Sequence, residues 1–116
     1  MTAAVVDLTI EQGATFAQLL IWKDSAGSLI NLTGYTARMQ IRPTVDSDTV
    51  IASLTTENGG ISLSVINGSI SLSIPAAYTA LMTFVTAVYD LEMIATDATV
   101  TRLIQGAVVL SKEVTR

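Results

Sequence analysis

A chain of 116 residues makes one domain, long enough for an ordinary core and short of the size at which chains divide. A formal charge of −4 with only 6 Lys and Arg leaves no basic cluster to set on phosphates, which excludes a nucleic-acid or anionic-membrane partner. With no Cys and no His there is no disulfide framework, thiolate, cysteine zinc site or histidine base, and with half of the residues hydrophobic and 14% charged, part of the apolar surface is expected to lie against another subunit.

The N-terminus lacks the basic region that begins a secretion signal, so export by that route is not expected. Every apolar window is broken well before the roughly 18 residues of a membrane-spanning helix. Ala4–Ile10 reads as a first strand, with Val6, Leu8 and Ile10 on one face and Asp7 and Thr9 on the other, and Glu11-Gln12-Gly13 closes it. Thr15–Lys23 follows. Its Phe16, Gln18, Leu20 and Trp22 alternate with Ala17, Leu19 and Ile21, and being apolar on both sides it is expected to be central or covered. Asp24-Ser25-Ala26-Gly27 is a tight turn by residue type, and Leu29–Leu32 returns as a short strand or arm.

Between a turn at Thr33-Gly34 and a breaker at Pro43, Ala37, Met39 and Ile41 alternate with Arg38, Gln40 and Arg42, the pattern of a half-buried strand. Its mate is Val88–Met93, where Tyr89, Leu91 and Met93 form an apolar row and Asp90 and Glu92 an acidic one. Side by side or one strand removed, the arginines and carboxylates share a face, each opposed pair contributing roughly 0.2–1 kcal/mol. Thr44–Asp48 is a polar loop, Thr49–Thr55 resumes β composition, and Glu57-Asn58-Gly59-Gly60 is a turn. Ile61–Val65 and Ile70–Ile74 alternate strictly about Asn67-Gly68, which predicts a hairpin closed by a type I′ turn. Pro75–Met82 suits one or two helical turns. Thr86–Ile94 and Val100–Leu110 finish the set, joined near Ala95-Thr96-Asp97-Ala98, with Gly106 marking a bulge or a close approach of another backbone. Seven to nine short strands and one minor helix predict an all-β, antiparallel β-sandwich or a small barrel.

Chemistry is sparse in this pattern. Asp46-Ser47-Asp48 has the start of a calcium loop but none of its further oxygen ligands, so it reads as a solvated loop. Asp90 and Glu92 are the closely paired carboxylates that sugar hydrolysis would need, yet as partners for Arg38, Arg42 or Arg102 they fit an ordinary exposed face. The many hydroxyls lack an activating histidine, and Gly59-Gly60 has neither the spacing nor the helix of a phosphate loop. Trp22 can stack on a sugar, but inside an apolar strand it is expected in the core or at an oligomer contact. No catalytic residue, metal ligand or cofactor is therefore expected. Phe16, Trp22, Met39, Ile41, Tyr89 and Leu91 are the expected core.

One feature departs from an ordinary soluble surface. No charge occurs from Asn58 through Tyr89, although the hairpin face of Ser62, Ser64, Ser69, Ser71 and Ser73 meets solvent in a monomer. Uncharged, flat strands are open to edge pairing, so this hairpin or an adjoining strand is expected to lie against a neighbouring subunit.

Several stretches carry a family resemblance. Val6–Phe16, Trp22-Lys23-Asp24, Leu32–Arg42, Thr55–Ile61, Tyr89-Asp90-Leu91-Glu92 and Glu113-Val114-Thr115-Arg116 resemble small structural proteins of tailed bacteriophages. They are similar to the immunoglobulin-like N-terminal domain of phage baseplate upper proteins, which anchors receptor-binding parts to the tail. The resemblance implies an immunoglobulin-like sandwich in a virion, made in the host cytoplasm, with other virion proteins as partners and a homo-oligomer or multi-copy ring as its state. In that family the domain leads into a longer helical and fibre-carrying region, whereas this sequence stops at Arg116, so the expected role is a free-standing tail, baseplate or neck adaptor. The alternatives are a capsid decoration or cement protein, a host-glycan-binding module using Trp22, and a hydrolase using Asp90 and Glu92.

Overall fold

The computed structural model describes residues 3–115; Met1, Thr2 and Arg116 lie outside the described residues. Nine strands run in chain order: β1 (Ala4–Val5), β2 (Leu8–Glu11), β3 (Phe16–Ile21), β4 (Thr36–Arg42), β5 (Ala52–Thr55), β6 (Ile61–Ser64), β7 (Ser69–Ile74), β8 (Thr86–Ile94) and β9 (Val100–Ser111), with one helical turn α1 (Ala76–Thr79) between β7 and β8. One sheet has the order β1-β9-β8-β4-β5, with β2 also against β9, and the other the order β3-β7-β6. This is an immunoglobulin-like β-sandwich whose two sheets pack apolar faces together without the disulfide that antibody domains add.

The registers follow from the alternation. β4 pairs antiparallel with β8 so that Met39 meets Leu91, Ile41 meets Tyr89 and Arg38 meets Glu92. That places one apolar row inward and one charged row outward. Phe16, Trp22, Met39, Ile41, Tyr89 and Leu91 are all buried, together with Leu8, Ile10, Ile70, Leu72 and Val108 from the two sheets and Leu32 between β3 and β4. Trp22 meets the ring of Tyr35 edge-on, with centroids 5.8 Å apart.

The antiparallel sandwich stands, and three details of it depart from expectation. First, the opening strand breaks at Val6-Asp7, and both halves run parallel to β9. The Asp7 carboxylate fills the break by accepting the Ala107 N–H at 3.0 Å. Second, β3 is an edge strand rather than a central one, because the first strand, free to lie beside either sheet, pairs with β9. Third, the hairpin is not closed by a two-residue turn. Its register pairs Ser64 with Ser69, and only Gly68 of the Asn-Gly pair has positive φ, whereas a type I′ turn needs both. The wider loop leaves the face of every side chain unchanged and docks onto its neighbours: the Trp22 N–H donates to the Gly68 carbonyl at 2.8 Å and the Leu32 N–H to that of Val65 at 2.9 Å.

Gly106 marks the close backbone approach, its α-carbon lying against the Val6 carbonyl, while the bulge of β9 sits opposite Leu91/Glu92.

Candidate functional site

The surface with the least ordinary composition is the outer face of β3-β7-β6. In β7 the residues Ile70, Leu72 and Ile74 turn inward, so Ser69, Ser71 and Ser73 turn out; β6 adds Ser62 and Ser64. The register then extends the rows across β3, setting Ile21 beside Ser69, Leu19 beside Ser71 and Ala17 beside Ser73. The five serines named from the sequence therefore do share one face, and it carries no charge. What the sequence reading missed is the third column: Leu19 and Ile21 are 58% and 54% exposed. Their signal is present in the two-sided apolarity of β3, which predicts a central or covered strand.

The edges of the two sheets differ in how they are closed. At β5 the Asn58 side chain occupies the outward groups, its Oδ1 accepting the Thr55 N–H and its Nδ2 donating to the Ser53 carbonyl, both at 2.9 Å. An added strand would have to displace both bonds. β6 is only 4 residues long. β3 has neither device: it is 6 residues long, carries no charge or proline, and among the described residues has only β7 beside it. The Trp22 N–H points at Gly68, so in the alternating ladder Phe16, Gln18 and Leu20 also face β7, and the backbone groups of Ala17, Leu19 and Ile21 point away from it. Among the described residues, the bond given to that outer row is a long one, from Gln18 Nε2 to the Leu19 carbonyl at 3.4 Å.

The carboxylates considered for catalysis lie on the other sheet. Glu92 Oε1 takes Arg38 Nε at 2.7 Å, and Asp90 lies 3.5 Å from Arg102 Nε. Arg42, the third candidate partner, instead holds the Ser47 carbonyl and Gln40. The two carboxylates border a shallow depression of about 540 Å³, each beside its own guanidinium, and such exposed pairs contribute about 0–1 kcal/mol. Asp46 and Asp48 are exposed on the loop that Arg42 braces, and among the described residues no three acidic groups gather in a metal-holding cluster.

A larger open groove of about 850 Å³ runs between β5 and the α1 segment, walled by Ile51, Leu54, Tyr78, Leu81 and Phe84. It contains neither carboxylate nor cation, so it offers shape and apolar contact rather than acid–base chemistry. The buried Thr79 hydroxyl holds the α1 segment in place, donating to the Ala14 carbonyl at 2.8 Å and accepting the Gly13 N–H at 3.1 Å. That role leaves no trace in the local pattern, since it joins residues more than sixty positions apart.

Among the described residues, Tyr89 is the one strongly perturbed group. Its hydroxyl donates to the Val6 carbonyl, and burial, with the Asp7 carboxylate adding to it, pushes the phenol from 10.0 up to about 12. Because the folded chain keeps the proton that the unfolded chain releases near 10, Tyr89 contributes its full stabilisation below that pH. The contribution is lost as pH rises from there to about 12. Melting curves of the native chain should therefore fall more steeply across this window than those of Tyr89→Phe, which at neutral pH loses only about 0.5–1.5 kcal/mol with its hydrogen bond. Parallel pH dependence in the two proteins would show that the phenol ionises freely.

No protein-family model matches the chain, and no curated protein matches it. Among solved structures it is similar to the extracellular domains of the voltage-gated sodium channel beta4 subunit, described as parallel homodimers that explain a role in cell-cell adhesion, with 12% identity, a TM-score of 0.43, and 98% of this chain and 97% of that one covered.

Proposed function

We propose that this chain is a non-enzymatic structural component of a tailed-phage virion, acting in multiple copies as a tail, baseplate or neck adaptor. The phage assignment rests on the sequence resemblance, and the uncharged outer face of β3-β7-β6 supports the assembly role. A chain of net charge −4 that keeps its serines and its exposed Ala17, Leu19 and Ile21 free of any charged neighbour on that sheet has a surface suited to contact rather than to solvation. Stable contacts of this kind bury about 1,200–2,000 Å², so the sheet face would act together with surrounding loops. The other classes draw less support: Trp22 packs against Tyr35 and presents no open ring to a sugar, and Asp90 and Glu92 each sit beside an arginine.

Quantitative mass spectrometry of purified particles from a phage encoding this sequence tests the reading. A tail or neck part should be present in a few to a few dozen copies, and a capsid cement in roughly hundreds, following the symmetries of such assemblies. Recovery of the protein only from the soluble lysate, with none in particles, would overturn the virion role.

A further inference from the structure

We propose that the open edge of β3 pairs antiparallel with β3 of a second copy, about a two-fold axis through Leu19, and joins the two three-stranded sheets into one of six strands. The inference shares with the proposed function only the premise of association between copies. It names the strand, the register and the partner, and it holds whether or not the assembly is a virion.

Three observations carry it. The outward row of β3, Ala17, Leu19 and Ile21, offers a donor and an acceptor at each residue, and these alternate at the spacing an antiparallel neighbour requires. The row is self-complementary: with Leu19 opposite Leu19 of the copy, Ala17 falls opposite Ile21 and Ile21 opposite Ala17, so every outward N–H meets a carbonyl. The side chains of those same residues stand on the outer face, half exposed at Leu19 and Ile21, and would close into a continuous apolar strip along the new strand pair.

Charge selects this edge further. Two copies of an acidic chain repel wherever carboxylates meet, but the three strands β3, β7 and β6 of this sheet hold no ionisable group. The β5 edge is occupied by Asn58 and β6 is short, so β3 is the edge at which a second copy displaces only the 3.4 Å contact from Gln18. An edge contact of six residues falls below the roughly 1,200 Å² of a standard interface, which predicts weak, reversible pairing in the free protein and calls for a covalent readout.

The absence of cysteine makes that readout clean. In the proposed register Leu19→Cys places two thiols directly opposite in a hydrogen-bonded pair, whose Cα atoms lie about 5.5 Å apart. The Cβ atoms of such a pair stand wider than a relaxed disulfide prefers, so a short thiol-reactive cross-linker is the probe. Ile21→Cys lies opposite Ala17 of the copy, more than about 14 Å from its own equivalent at about 3.4 Å per residue, and cannot be bridged. A thiol-reactive cross-linker only a few atoms long should convert Leu19→Cys to a covalent dimer, leave Ile21→Cys and Ala17→Cys each monomeric, and link those two when mixed. Leu19→Pro, whose missing N–H faces away from β7, should keep the native circular dichroism and abolish reversible dimerisation in sedimentation. Cross-linking of Ile21→Cys to itself as fast as Leu19→Cys, or a folded Leu19→Cys that stays monomeric at high concentration, would overturn the proposal. Failure here with the protein still counted in particles leaves the virion role standing. Success here with empty particles removes that role and keeps the dimer.

Discussion

Replacing Trp22 by alanine is expected to lower the unfolding free energy by about 3–5 kcal/mol, the range for a buried tryptophan whose site collapses only in part. Trp22 closes the end of β3, where its ring is 9% exposed and meets Tyr35 edge-on. Its backbone also holds two neighbours: the N–H donates to the Gly68 carbonyl at 2.8 Å, and its carbonyl accepts the Ile30 N–H at 3.0 Å. The cavity would open where the hairpin loop and the Leu29–Leu32 arm meet, so β3 and β7 beside it should lose amide protection before β8 and β9. Urea unfolding with an unchanged slope would measure the loss. A Trp22→Ala protein within about 1 kcal/mol of native stability would place the ring at the surface, restoring the glycan-stacking alternative that its burial opposes.

The same residue shows why some of the fold was legible in the sequence and some was not. Period-two alternation assigns faces, and the faces of β4, β7 and β8 follow from it because each strand has one apolar and one polar row. It even set the mate of β4, since Arg38 and Glu92 lie in rows that match. Alternation does not decide which strands are neighbours when both rows are apolar. In β3 the two apolar rows predict a central or covered strand, and the structure leaves the outer row of Ala17, Leu19 and Ile21 open. The choice of β9 by the first strand was equally hidden, because Val6, Leu8 and Ile10 can serve either sheet; what decides it is the fit of the Asp7 break against Ala107 and Gly106. Of the candidate surface, the five serines were readable as a set from the hairpin alone. Their extension onto β3 depended on a pairing between strands some fifty residues apart.

Gly106 gives that hidden choice a measurable energy. Gly106→Ala is expected to destabilise by about 3–4 kcal/mol, combining overpacking of about 1–3 kcal/mol with roughly 1 kcal/mol for each backbone hydrogen bond displaced. A β-carbon there would be driven into the Val6 carbonyl and would stand 2.9 Å from Asp7 Oδ1. Neither atom is free to yield. The Val6 carbonyl accepts the Tyr89 hydroxyl, the Val6 N–H donates to Gln105 at 2.9 Å, and Asp7 Oδ1 holds the Ala107 N–H at 3.0 Å. Intrinsic preference acts in the opposite direction, because alanine suits a strand interior better than glycine. The cost must therefore come from the first strand. Removing residues 1–7 isolates it: in the shortened chain Gly106→Ala should cost less than about 1 kcal/mol, a coupling of 2 kcal/mol or more between the first strand and one hydrogen atom's width on β9. Equal penalties in the full and shortened chains would mean that the strain lies within β8 and β9, and that the parallel pairing of the first strand does not depend on a missing side chain.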